Sequence, residues 1–161
     1  MAPITQFPVQ SRLSYKRAAV MFLLAYIVVT ILGIALSLAI GAVGHMPQTA
    51  EPMQNQAYLL AERFYPFLNL LVWGTFAWIY FRKPRERSEQ AGLRKEAWTL
   101  GGFWLVVAMV VDYVGFVLIK NPISLSPHDF YIGQFPWIYL IYVAVFLSPW
   151  CYVALVERGR N

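Results

Sequence analysis

The sequence predicts an all-α integral membrane protein, a four-helix bundle with both termini on the cytoplasmic side. Three observations carry that expectation. Of the 161 residues 59% are hydrophobic and 13% charged, and the mean hydropathy is +0.52, a balance that leaves too little polar surface to cover a water-soluble domain of this length. Four apolar stretches, Ala18 to Val43, Phe64 to Phe81, Ala97 to Ile119 and Pro136 to Val156, each suit a hydrocarbon core about 30 Å thick. The 13 Lys and Arg residues fall unevenly between the two sides that those stretches define.

In chain order, residues 1–17 form a cytoplasmic tail without hydrophobic periodicity, interrupted by Pro3 and Pro8 and ending on Arg12, Lys16 and Arg17. The first apolar stretch follows these cations as a secretory leader would. Its 26 residues exceed the apolar region of a leader, however, and Gly44-His45-Met46-Pro47 offers no small-x-small cleavage site, so it is expected to be a retained helix. The second stretch opens on Tyr65-Pro66-Phe67 and the fourth on Phe135-Pro136-Trp137. This match extends to Leu70 with Leu140 and Leu71 with Ile141, and reads as two tandem helical hairpins. A proline in a first helical turn loses no hydrogen bond. If Met53 to Arg63 were helical, with Pro52 near its start, Pro66 would instead kink one longer helix.

Six cations, Arg82, Lys83, Arg85, Arg87, Arg94 and Lys95, lie between the second and third stretches, and Arg158 and Arg160 mark the cytoplasmic end, residues 157–161. With the tail, that side holds eleven cations against two, Arg63 and Lys120, on the other. Short basic loops remain in the cytoplasm, which fixes an N-in, C-in orientation in a cytoplasmic membrane of bacterial type. The net charge of +5 is therefore a topology signal and no footprint of nucleic-acid binding. Glu86, Glu89 and Glu96 dilute the loop as a site for anionic lipid. Trp78, Trp98 and Trp137 fall where an interfacial aromatic belt is expected. Residues 18–156 make one domain, since neither outer loop is long enough to fold separately.

Small residues indicate where helices approach closely in lipid. Gly33, Ser37 and Gly41 share one face of the first helix; Gly101, Ala108 and Gly115 recur every seven residues in the third, with Asp112 on their stripe. Asp112 is the one acid within a predicted span. A carboxyl facing lipid is costly, so it is expected inside the bundle, and an intramembrane acid is by default a candidate functional residue. Ser37, Asn69, Asp112, Tyr139 and Tyr142 lie at similar depth in the outer half and are expected to line a pocket open to the outside, with Arg63 above it as a charge partner for Asp112. The structural alternative is that Asp112 only pins helices together through a Tyr hydroxyl and Asn69. Pro149 is expected to bend the fourth helix.

Other chemistry is poorly represented. Cys151 is the single cysteine, which excludes an internal disulfide or a Cys-x-x-Cys centre. His45 and His128 fall in separate outer loops without metal-ligand spacing. Asp112 and Asp129 are 17 residues apart, but only Asp112 is embedded, so a paired-carboxylate peptidase lacks its second acid. No cofactor, metal or nucleic acid is implied. The expected partners are the lipid bilayer and a second copy or partner membrane subunit. The first functional expectation is a non-enzymatic protein that binds a partner, lipid or small hydrophobic ligand at a pocket around Asp112. A small oligomeric transporter or channel using Asp112 as a proton or cation site comes second, and an intramembrane enzyme third.

Overall fold

A computed structural model of the chain describes residues 13–47, 49, 52–82, 92–120 and 124–158. The tail before Leu13, Glu51, the loop residues Lys83, Arg85, Glu86, Arg87 and Glu89, and Arg160 lie outside the described residues. Among those described, all regular structure is helical. Helix α1 spans Tyr15–Val43, α2 Gln56–Ala61, α3 Tyr65–Phe81, α4 Leu93–Asp112 and α5 Trp137–Arg158. A 3-10 turn, Pro52–Gln54, precedes α2; a π-helical turn, Tyr113–Leu118, continues α4, and a second, Asp129–Gly133, lies ahead of α5.

Three segments are long and apolar enough to cross a membrane: Tyr15–Val43, Leu93–Leu118 and Trp137–Val156. The second apolar stretch also forms a helix, α3, but its 17 residues reach about 26 Å at 1.5 Å per residue, the lower edge of what a crossing needs. The segment before it is partly ordered. Asn55 caps α2, its Oδ1 accepting from the Ala57 and Tyr58 amides at 3.1 and 3.2 Å, which satisfies N–H groups a helix start leaves open. A turn over residues 62–64 separates α2 from α3, and Pro66 sits in the first turn of α3. The single kinked helix is therefore not formed. Pro136 instead precedes the first residue of α5, so the two proline starts differ.

Helix α5 packs against both α3 and α4, α1 lies on α3, and α2 lies on α1. The core centres on Trp73 and Trp104, both essentially unexposed, with ring centroids 5.2 Å apart. Buried indole N–H groups need acceptors. Trp104 Nε1 donates to the Ala18 carbonyl and Trp73 Nε1 to Asn69 Oδ1, each at 3.0 Å. The first contact ties α4 to α1. At the other crossing, α4 meets α5 at Gly101, where a Cβ would collide with the Phe146 carbonyl oxygen. Of the predicted stripe, Gly101, Ala108 and Asp112 are buried, whereas a Cβ at Gly115 would meet nothing within 4 Å.

Pro149 lies inside α5 and cannot donate to the carbonyl four residues earlier. That carbonyl belongs to Val145, and Ser148 Oγ donates to it at 3.0 Å. Ser148 and Pro149 are fully buried. The Ser-Pro pair thus replaces the missing backbone bond from within the helix.

Helix α4 starts at Leu93, earlier than the expected Ala97, and this places Glu96 in its first turn. Glu96 is buried and accepts from the Tyr80 hydroxyl at 3.0 Å. Arg17 donates to the Ile79 carbonyl at 2.9 Å and lies 5.6 Å from the Tyr80 ring centroid. Asp112 is therefore not the only buried acid on these helices. Glu96 belongs to a polar cluster at the end bearing the basic residues, where a carboxylate also complements a helix N-terminus.

The outer surface is strongly apolar. Leu23, Ile27, Ile31 and Leu38 are exposed along α1, of whose most apolar window only 11% is buried. Apolar patches of this extent are rare on water-facing proteins. Together with the three long helices, they indicate a membrane location.

The Gly101 crossing gives a direct test. Gly101→Val should lower the thermal midpoint by the equivalent of about 1–3 kcal/mol, the usual penalty of overpacking. Gly102→Ala, at a neighbouring position with open space within 4 Å, should raise it by up to about 1 kcal/mol through helix propensity.

Candidate functional site

At the end of the helices opposite the Arg17–Glu96 cluster lies a cavity of about 360 Å³. Its walls come from the later half of α1, the first half of α3, the end of α4 and the start of α5, and Thr49, Pro52, Asn55 and Tyr58 on one side with Leu125, Phe130 and Gln134 on the other contribute its rim. The volume falls within the range of small-molecule sites, which are mainly apolar with a few convergent polar groups.

Asp112 forms the polar floor. It is 9% exposed, and Oδ1 accepts from the Tyr26 hydroxyl at 2.5 Å, a length characteristic of an O–H donating to a carboxylate oxygen. This bond joins α4 to α1. The Tyr142 hydroxyl from α5 is buried and interacts with the same carboxyl, although outside strict hydrogen-bond geometry. Immediately after Asp112 the helix loosens into its π-helical turn, a departure often associated with functional positions.

Asn69 borders the cavity, but its amide is occupied: Nδ2 donates to the Tyr65 carbonyl at 2.9 Å while Oδ1 accepts from Trp73. It holds the Trp73 ring in place, a different role from the partner of Asp112 that the sequence suggests. Ser37 and Gly33 line the α1 wall, where a Cβ on Gly33 would rest 3.7 Å from the Tyr65 ring. Two expected residues lie elsewhere. Tyr139 is exposed and meets Phe135 edge-on at 5.8 Å; it stands on the outward side of α5, whereas Tyr142 is buried. Arg63 is exposed, does not border the cavity, and its charge acts on neighbouring Glu62. The expected Arg63–Asp112 pairing is thus replaced by the Tyr26 bond.

Several lining groups were absent from the sequence expectation. Tyr26 faces inward from an otherwise apolar run with no acid nearby in sequence to mark it. Over the rim, Gln134 Nε2 donates to the Tyr58 hydroxyl at 2.5 Å, and the Tyr58 and Tyr65 rings meet edge-on at 6.1 Å. This joins the loop before α5 to α2 and roofs part of the cavity. His45 and His128 do not converge: His128 pairs with Asp129 at 3.6 Å on the exposed surface. Among the described residues, no group of three or more His, Cys, Asp or Glu side chains is placed to hold a metal.

The chain matches no protein-family model, and comparison with curated proteins and with solved structures finds no match either.

Glu62, between α2 and α3, is buried, and its Oε2 has no hydrogen-bond partner among the described residues. Burial pushes its carboxyl up from the usual 4.5 to about 7, against a smaller lowering by Arg63; Tyr58 and Tyr65 also face it. Below pH 4.5 the group is neutral whether the chain is folded or unfolded. From there to about pH 7 the unfolded chain releases its proton first, so stability falls as pH rises and stays lower above 7. Glu62→Gln should remove that fall: equal thermal midpoints near pH 4, and a higher midpoint than wild type at pH 8.

Proposed function

We propose that this chain is a four-crossing membrane protein of N-in, C-in orientation, and that its outer-half cavity binds a small, mainly apolar ligand without chemical turnover. The observation that carries the binding reading is the cavity itself. A space of about 360 Å³ on a chain with an apolar exterior is a binding site of ordinary size. Among its polar groups, Asp112, Tyr26 and Tyr142 are placed to orient an occupant. Catalysis is less well supported, because Asp112 has no second acid, nucleophile or metal-ligand cluster beside it among the described residues.

The crossing number and orientation rest on the asymmetry of eleven cations against two and on α3 as the fourth span. The fold adds a consistent polarity, since the cavity and its rim segments sit at the end away from Arg17, Arg82, Arg94 and Arg158. In a Cys151→Ser background, His128→Cys in intact cells should react with a membrane-impermeant maleimide. Protection of that thiol until the cells are opened would reverse the orientation.

Ligand binding is tested by extracting the purified chain and analysing bound small molecules by mass spectrometry, next to a Ser37→Trp variant that fills the cavity wall. Wild type should carry a compound that the variant lacks. Identical extracts from two folded proteins would sink the binding reading.

A further inference from the structure

The cavity has the lining of a cation site. Among the described residues Asp112 is the one acid that borders it, and no Lys, Arg or His does. A carboxylate in an apolar space is costly to bury without a compensating charge, and its attraction to a cation is stronger there than in water because solvent screening is weaker. An anionic occupant would meet the opposite. Aromatic side chains from three helices line the cavity, among them Tyr26 of α1, Tyr65 of α3 and Tyr142 of α5, the first and last beside the carboxyl. Ring faces attract cations through their quadrupoles, and aromatic cages of this composition suit quaternary ammonium groups, whose charge is spread over methyls that cannot donate a hydrogen bond. The aliphatic part of the lining, including Val29, Leu68 and Ile141, accommodates an apolar body.

Resting on the ligand-binding reading above, we infer that the occupant is a lipophilic organic cation, an amine or quaternary ammonium compound, with its charged group between Asp112, Tyr26 and Tyr142 and its apolar portion toward Leu68 and Ile141. Tyr26 has a positioning role: its hydroxyl holds Oδ1 and so fixes the carboxyl in the cavity wall.

The test compares phenyltrimethylammonium with tert-butylbenzene, which has the same shape and no charge. Each is titrated against the full chain in non-ionic maltoside micelles, and apparent Kd is read from the rise in thermal midpoint. The cation should bind at least tenfold more tightly than the hydrocarbon. Asp112→Asn should abolish that preference while retaining affinity for tert-butylbenzene. Equal or tighter binding of tert-butylbenzene to wild type overturns the cation inference and leaves the ligand-binding reading standing. Binding of neither probe overturns both. A cation preference undiminished in folded Asp112→Asn overturns the assignment of the charge to Asp112. Should that variant fail to fold, the wild-type comparison of the two probes decides alone.

Discussion

A helix in apolar surroundings can satisfy its own backbone, but the polar side chains it carries inward must find partners from other helices. In this protein that requirement converges on a few contacts that set the helix arrangement. The Tyr26–Asp112 bond joins α1 to α4, and the Trp104 indole reaches across to the Ala18 carbonyl of the same pair. Tyr80 and Glu96 join α3 to α4 at the opposite end. Trp73 and Trp104 fill the space between these anchors. Displacing α1 relative to α4 would break both the tryptophan contact and the carboxyl contact, so the cavity shape depends on them.

Close packing and open space occur within the same assembly for identifiable reasons. At the basic end, Gly101 lets α4 approach the α5 backbone, and the Tyr80, Glu96 and Arg17 groups are mutually engaged. At the other end α4 loosens into a π-helical turn, α2 replaces a direct connection into α3, and bulky rings stand between the helices. Rings and a turned backbone hold the helices apart where a run of small residues would draw them together. The cavity's roof, the Tyr58–Gln134 contact, is a single hydrogen bond between two loop-borne elements, whereas its floor is built on the helices themselves.

Composition and apolar length were enough to read helices, and four apolar helices form close to the expected positions. The boundaries moved where local chemistry intervened. Glu96 was absorbed into α4 because an acid at a helix start is favourable and Tyr80 partners it. The apparent loop before Tyr65 contains α2 because Asn55 supplies a cap that hydropathy does not register. Of the six residues expected at the site, Asp112, Asn69, Ser37 and Tyr142 border the cavity, while Tyr139 and Arg63 do not. Depth along a helix can be counted from the sequence, but Tyr139 and Tyr142 differ in face, and facing depends on how α5 rotates against α3 and α4.

The chain's linear order thus settled the quantities that depend on transfer from water: an apolar helical character, the location of the basic residues, and the need to shelter Asp112. Those are sums over residues and survive any arrangement of the helices. Which group would shelter Asp112 was a matter of pairing across 86 positions, and nothing local distinguishes Tyr26 from the other tyrosines. Tertiary packing selected it, brought the Tyr142 hydroxyl to the same acid, turned Asn69 toward Trp73 and enclosed the cavity between them. Directional hydrogen bonds and ring contacts made those choices, because they require atoms from separate helices to meet at fixed distances.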